Sequence, residues 1–205
     1  MRLHLASANP GKLREHLSLA RALLERRGLP PIELVSAAAV GGMPAVPEDT
    51  GTFEGNVRQK AEALRARLPA EAWVLADDSG LCVDALGGAP GVDSAVYAGP
   101  EGDSAANLAK LVREMRPVPG GLRAAHFVCL LLLLGPGGVD RSFTGRCEGR
   151  LLLEPSGAGG FGYDPLFVPA GASASFGELP EAEKNELSHR ARAWAKLADW
   201  LSARR

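Results

Sequence analysis

Two adjacent carboxylates, Asp77 and Asp78, follow the apolar run 74–76 and precede Ser79 and Gly80. A short apolar run closed by turn formers reads as a buried strand, so both acids are expected at a strand end, on a sheet edge or in a cleft. Carboxylates placed there can hold a hard cation or activate water. The same residue types also build solvated turns, and spacing alone leaves both readings open. Lysine usage adds a second signal: the chain has five lysines against 18 arginines, and Lys12, Lys60 and Lys184 fall in the other segments with chemical potential. Lysine is a compact point charge where arginine is a planar fork, and the two are not interchangeable.

The elements that must position these groups follow from periodicity and punctuation. Residues 3–7 alternate as a strand, Asn9, Pro10 and Gly11 form a turn, and Leu13, Leu17, Ala20 and Leu24 recur at helical spacing until Gly28, Pro30 and Pro31. A strand, a tight turn and a helix start commonly offer backbone amides to an anion, and Lys12 stands in that first turn. The segment is not a Walker loop, because Leu13 follows Lys12 where Ser or Thr is needed. A plain lysine at a helix start fits the same residues. A second strand is expected over 32–35 and a second helix over about 53–68, preceded by Glu48 and Asp49. Asn56 and Lys60, four apart, share one face of that helix. The acids and the lysine together could hold a cation and a phosphate, although acids before a helix also simply complement its dipole.

Further along, 81–83 is expected as another strand leading to the turn at Gly87, Gly88, Pro90 and Gly91. A helix over 104–115, a buried strand over 127–134 and a hairpin continuing through 141–152 follow. The glycine-rich loop 155–165 carries Phe161, Gly162, Tyr163 and Asp164, offering aromatic faces for stacking and an acceptor for a base edge. Ser188 is placed to cap a last helix with Trp194, Leu197, Ala198 and Leu201 on one face. Lys184, His189 and Arg190 precede or open that helix, within reach of an anion or a carbonyl oxygen.

Composition bounds what this chemistry can serve. The 205 residues are 46% hydrophobic and 23% charged, as in a globular protein with a sizeable core. A formal net charge of -1 provides no basic field for nucleic acid or an anionic membrane. The most apolar run, 127–134, is far shorter than a spanning helix requires, and the first residues lack the apolar region of a signal peptide. The expectation is a cytoplasmic protein that binds neither nucleic acid nor membrane. Cys82, Cys129 and Cys147 are widely spaced and form no CxxC pair, which indicates core thiols.

Taken in order, SANPGKLRE, EDTGTFEGNVRQKA, LADDSGLCVDALGGAPG, GFGYDP and EKNELSHR resemble the motifs of the inosine/xanthosine triphosphate pyrophosphatase family, which removes non-standard purine nucleotides. The resemblance runs through essentially the whole chain and implies one such domain over 1–205. It implies an α/β fold with a long twisted mixed central sheet, flanking helices and two lobes around a substrate cleft, assembled as a homodimer. The implied reaction is the Mg²⁺-dependent splitting of ITP, dITP or XTP into monophosphate and pyrophosphate.

Residue by residue, the resemblance makes Ser7, Ala8, Asn9, Pro10, Gly11 and Lys12 a triphosphate-binding loop and Lys60 a catalytic lysine beside the phosphates. It makes Asp78 the general base and a metal ligand, with Glu48 the other metal-associated acid in preference to Asp49. Ser79, Phe161, Gly162, Tyr163, Asp164, Lys184, His189 and Arg190 match positions around sugar and base. A 6-keto oxygen would accept from His189 or Arg190, whereas the amino group of adenine would leave those donors unpaired. Gly55 and Val96 depart from the family pattern, where an acid and an arginine are usual. Two rivals remain in view: a nucleotide sensor that binds without turnover, which would not need the acids, and a phosphohydrolase with an aspartate nucleophile, whose DxD pattern the chain lacks.

Overall fold

In the computed structural model, which describes residues 1–204, eleven regular elements alternate along the chain. They are β1 (Arg2–Ala6), α1 (Pro10–Arg26), β2 (Glu33–Ser36), α2 (Phe53–Arg65), β3 (Trp73–Val83), α3 (Ser104–Met115), β4 (Ala124–Gly135), β5 (Val139–Leu151), β6 (Phe167–Pro169), α4 (Glu181–Leu187) and α5 (His189–Ser202). The six strands form one mixed sheet in the order β2-β1-β3-β4-β5-β6. β1 runs parallel to β2, with His4 opposite Val35, and parallel to β3, with Leu5 opposite Leu75. β5 and β6 are antiparallel, Arg150 facing Val168. This is the expected α/β class with a mixed central sheet.

The chain forms two compact units. The first comprises Met1–Asp78, Cys129–Gly145 and the chain from Arg190 onward; the second comprises Ser79–Val128 and Arg146–His189. Strand alternation explains the layering of the first unit, because successive side chains leave a strand on opposite faces. Leu3, Leu5, Leu75, Cys129, Leu131 and Leu133 pack with Leu19 and Leu24 of α1 and with Trp194 and Leu197 of α5. Ala6, Val74, Ala76, Leu130 and Leu132 pack with Val57, Ala61 and Leu64 of α2. One sheet face therefore carries α1 and α5, and the other carries α2.

In the second unit, Leu111 and Met115 of α3 pack with Leu81, Val83, Phe127, Phe167 and Phe176. Phe127 meets Phe167 edge-on, with centroids 4.8 Å apart. Arg123 is buried there and donates to the carbonyls of Met115, Val118, Leu151 and Leu152, so its charge is spread over four acceptors rather than paired with a carboxylate.

The expected strand over 74–76 and the separate strand over 81–83 are one continuous strand of 11 residues. Asp77 and Asp78 lie in its middle and are only 1% and 5% exposed, not at a strand end. The turn propensity of Asp, Ser and Gly yields to sheet pairing because both carboxylates meet cations there. The α2 helix stops at Arg65 rather than about 68, because the backbone tightens there to Arg67 N–Leu64 O and Leu68 N–Arg65 O bonds just before Pro69. Strand β6 and helix α4, too short to show periodicity, were not foreseen from the sequence. The hairpin of β4 and β5, the α3 boundaries and the start of α5 directly after Ser188 agree with the sequence reading.

Candidate functional site

The α1 start is built by Asn9. Its Oδ1 accepts from the amides of Gly11 at 2.8 Å and Lys12 at 3.1 Å, while its own amide donates to Ser7 Oγ at 3.2 Å. Pro10 has no amide proton, and Leu13 N bonds to Asn9 O. The amides of Gly11, Lys12 and Leu13 are thus already engaged, and the charged group this loop offers an anion is the Lys12 ammonium. Lys12 Nζ lies 2.5 Å from Asp77 Oδ1 and 3.4 Å from the Asp77 carbonyl. An ammonium has three donors, so one N–H of Lys12 is left for a ligand.

The mid-strand position of the two acids has a direct consequence. Asp77 points to the α1/α5 face of the sheet and Asp78 to the α2 face, so neighbouring carboxylates enter different surroundings. Asp77 Oδ2 is 3.1 Å from His16 Nε2, 3.1 Å from Arg190 Nε and 3.4 Å from Cys129 Sγ. Burial would raise its pKa, but Lys12, Arg190 and His16 outweigh burial and hold it well below the usual carboxylate range. Arg190 is itself buried, its Nη1 lying 2.7 Å from Glu15 Oε2.

On the other face, Lys60 Nζ sits 2.5 Å from Asp78 Oδ1 and 2.9 Å from Glu48 Oε2. Burial works against the Lys60 charge, yet the two acids outweigh it and keep the ammonium above the ordinary lysine value. For Asp78 the balance goes the other way: burial outweighs Lys60 and Lys12 and raises its carboxyl pKa. A carboxylate with a raised pKa is a stronger base. Asp78 Oδ2 is buried and, among the described residues, meets no hydrogen-bond partner.

The loop that carries Glu48 is fastened to α2 residue by residue. Gln59 Nε2 donates to Asp49 Oδ1 at 3.0 Å, Thr50 Oγ1 to Asn56 Oδ1 at 2.7 Å, and Thr52 Oγ1 accepts from Gly55 N at 3.1 Å. Glu48 is the one non-glycine among the described residues with positive φ, at 50°. A strained backbone held by such a network points to a side chain that must be aimed. Of the two acids weighed from the sequence, Glu48 is the one that reaches Lys60, while Asp49 is bound to Gln59. Gly55 also finds its reason here: a Cβ would lie 2.3 Å from Thr50 Oγ1, so the Thr50 side chain fills the place where the family's usual acid would begin.

In the second unit, Asp164 Oδ2 accepts from Phe161 N and from Lys184 Nζ, both at 2.7 Å. Gly160 has φ of +70° and a Cβ on it would meet Asp164 Oδ2 at 2.1 Å, which explains a glycine at that position. Asp164, expected as a base-edge acceptor, is therefore engaged in shaping the loop and holding Lys184. Tyr163, expected as a stacking face, is buried in the core and donates to the Ser94 carbonyl at 2.8 Å. The half-buried Phe161 is the loop aromatic that retains exposed surface, and Gly162 adopts positive φ beside it. His189 is buried, its ring stacked on Phe127 with centroids 4.6 Å apart. Ser79 is half-buried on β3 and Val96 is exposed.

The sequence reading missed Asp77 as an anchor, together with His16, Glu15 and Trp194. The signal was present in part: Lys12, Glu15 and His16 fall at i, i+3 and i+4, on one helix face.

The Ham1 family model matches residues 3–200. A dITP/XTP pyrophosphatase of Opitutus terrae is 60% identical over 98% of this chain and 98% of its own, and one of Geobacter sulfurreducens is 45% identical over 98% and 96%. Among solved structures, the Ham1 protein of Staphylococcus aureus superposes with a TM-score of 0.83 at 31% identity over 100% of both chains. With the family model spanning nearly every element that carries the carboxylates and lysines, the chain belongs to the Ham1 family.

Proposed function

We propose that the protein hydrolyses non-standard purine nucleoside triphosphates, of the dITP, ITP and XTP class, to the monophosphate and pyrophosphate. The observation that carries this reading is Asp78: a buried carboxylate with raised pKa, one oxygen held by Lys60 and the other without a hydrogen-bond partner among the described residues.

A divalent cation fits these residues. Asp78 Oδ2 is a hard oxygen donor lacking a partner, and Glu48 shares Lys60 with it. Mg²⁺ is commonly bound by one or two carboxylates, completed by waters and substrate phosphates. Glu48 and Asp78 would hold it, and when bound it supplies a Lewis acid that promotes ionisation of water and offsets phosphate charge.

Asp78 accepts the proton of the water that attacks the α-phosphorus. Lys60, with two of its three donors on Asp78 and Glu48, directs the third toward the pyrophosphate that leaves. Lys12, tethered by Asp77, grips the phosphates in substrate and product alike. Phe161, Lys184 and His189, with Ser79, are assigned to sugar and base. Arg190 is assigned to the 6-keto oxygen, with its charge balanced by Asp77 and Glu15. A homodimer belongs to the same proposal and rests on the sequence resemblance, while a cytoplasmic setting rests on the expectation from composition.

The test is product identity with Mg²⁺ across ITP, dITP, XTP, ATP and GTP. Pyrophosphate is expected from the first three, with ATP poorer by about ten-fold or more, because its amino group leaves buried donors unpaired. Nucleotide binding without turnover would return the sensor reading; orthophosphate as the first product would refute the proposal.

A further inference from the structure

Asp77 takes no part in the proton transfer assigned to Asp78, yet it is the more elaborately held of the two acids. Its Oδ1 meets Lys12, and its Oδ2 meets Arg190, His16 and, at 3.4 Å, Cys129 Sγ. The last torsion of an aspartate side chain is broad, so two cations on one carboxylate leave the orientation of its plane loosely set. A further partner of fixed direction narrows it.

His16 has that direction. It lies on α1 one turn beyond Lys12 and is 0% exposed. Its Nε2 is 3.1 Å from Asp77 Oδ2, and its Nδ1 is 2.7 Å from Nε1 of Trp194, which is likewise 0% exposed on α5. An indole N–H can only donate. Nδ1 must therefore accept, which leaves the ring proton on Nε2, aimed at Asp77.

We propose that His16 is a positioning residue for the phosphate grip: Trp194 sets its tautomer, its Nε2–H pins Asp77 Oδ2, and Asp77 Oδ1 is thereby reserved for Lys12. The arrangement parallels the partners that orient histidine ligands around metals, where the hydrogen bond on one ring nitrogen determines what the other does. Without it, Asp77 can turn further toward Arg190, and Lys12 is left with the weaker hold of the Asp77 carbonyl. The inference rests on the reading that Lys12 grips phosphate, but its first test does not depend on turnover.

Nitrogen NMR of the full-length protein carrying ring-labelled histidine reads the tautomer directly. A proton-free Nδ1 and a protonated Nε2 for His16 are expected, with Trp194→Phe abolishing that fixed pattern; a protonated Nδ1 in the parent overturns the proposal. In steady-state kinetics with ITP, His16→Leu is expected to raise KM by about ten-fold, while kcat stays within about two-fold, as befits loss of an orienting partner of a binding group. His16→Gln, whose amide can donate from near the place of Nε2, is expected to recover most of the loss and serves as the folded control should the leucine variant be unstable. Parent-like KM in His16→Gln together with parent-like KM in His16→Leu or, where that variant does not fold, in Trp194→Phe would overturn the positioning role, as would a fall in kcat at unchanged KM. Release of orthophosphate would refute the pyrophosphate-releasing reading while leaving the tautomer result standing, so the two failures are distinguishable.

Discussion

Asp77 and Asp78 share a side chain and a peptide bond, and the pleat of β3 gives them opposite lives. Asp77 faces cations on the α1/α5 side and is held anionic; Asp78 faces Lys60 on the α2 side, with its carboxyl pushed upward by burial. Asp78→Asn is expected to cut kcat by at least about 10²-fold, the usual scale for losing a general base, with nucleotide binding largely retained in equilibrium titration. Near-normal turnover would remove Asp78 from the mechanism. The lysines should differ as their settings do. Lys12→Ala is expected mainly to raise KM, because the phosphate grip proposed for this tethered ammonium would serve substrate and product alike. Lys60→Ala should mainly lower kcat, because its remaining donor meets charge that grows only as the bond breaks. Both lysines were legible in the sequence through the scarcity of lysine. The work of Asp77 was not, because it depends on residues 73–83 being one strand, and the apolar runs on either side of the acids read as two.

At the scale of elements, the site depends on how loop 48–52 is laid along α2. Asn56 and Gln59 hold Thr50 and Asp49, Lys60 holds Glu48, and Gly55 leaves room for the Thr50 side chain. Gly55→Ala would place a methyl against three Thr50 atoms at 2.3 to 2.8 Å and displace that residue from Asn56. Overpacking of this kind costs about 1–3 kcal/mol, to be read as a lower thermal midpoint. Adding Thr50→Ala should return part of the loss, since neighbouring substitutions couple. Full additivity of the two changes would show that Gly55 and Thr50 do not interact. The shared face of Asn56 and Lys60 was legible from their spacing. The bond from Thr50 to Asn56 was not, because hydrogen bonds of a loop to a helix face leave no periodic trace. The same holds for Tyr163, whose type suits stacking but whose hydroxyl finds the Ser94 carbonyl inside the core.

For the molecule as a whole, motif order carried more than any local pattern. Each motif is weak alone, and their sequence along the chain identified the family that the family model matches over residues 3–200. Composition bounded the class, the hairpin and major helices followed from periodicity, and the short β6 and α4 were lost because three and seven residues hold too little pattern. The proposed mechanism commits to one bond: water would attack the α-phosphorus, with Asp78 accepting its proton and the two lysines offsetting charge on the phosphates. Hydrolysis of ITP in heavy-oxygen water, followed by mass analysis of both products, tests that commitment most directly. The account predicts label in the inosine monophosphate alone, with pyrophosphate intact and unlabelled; label in pyrophosphate, or orthophosphate as the primary product, would contradict it.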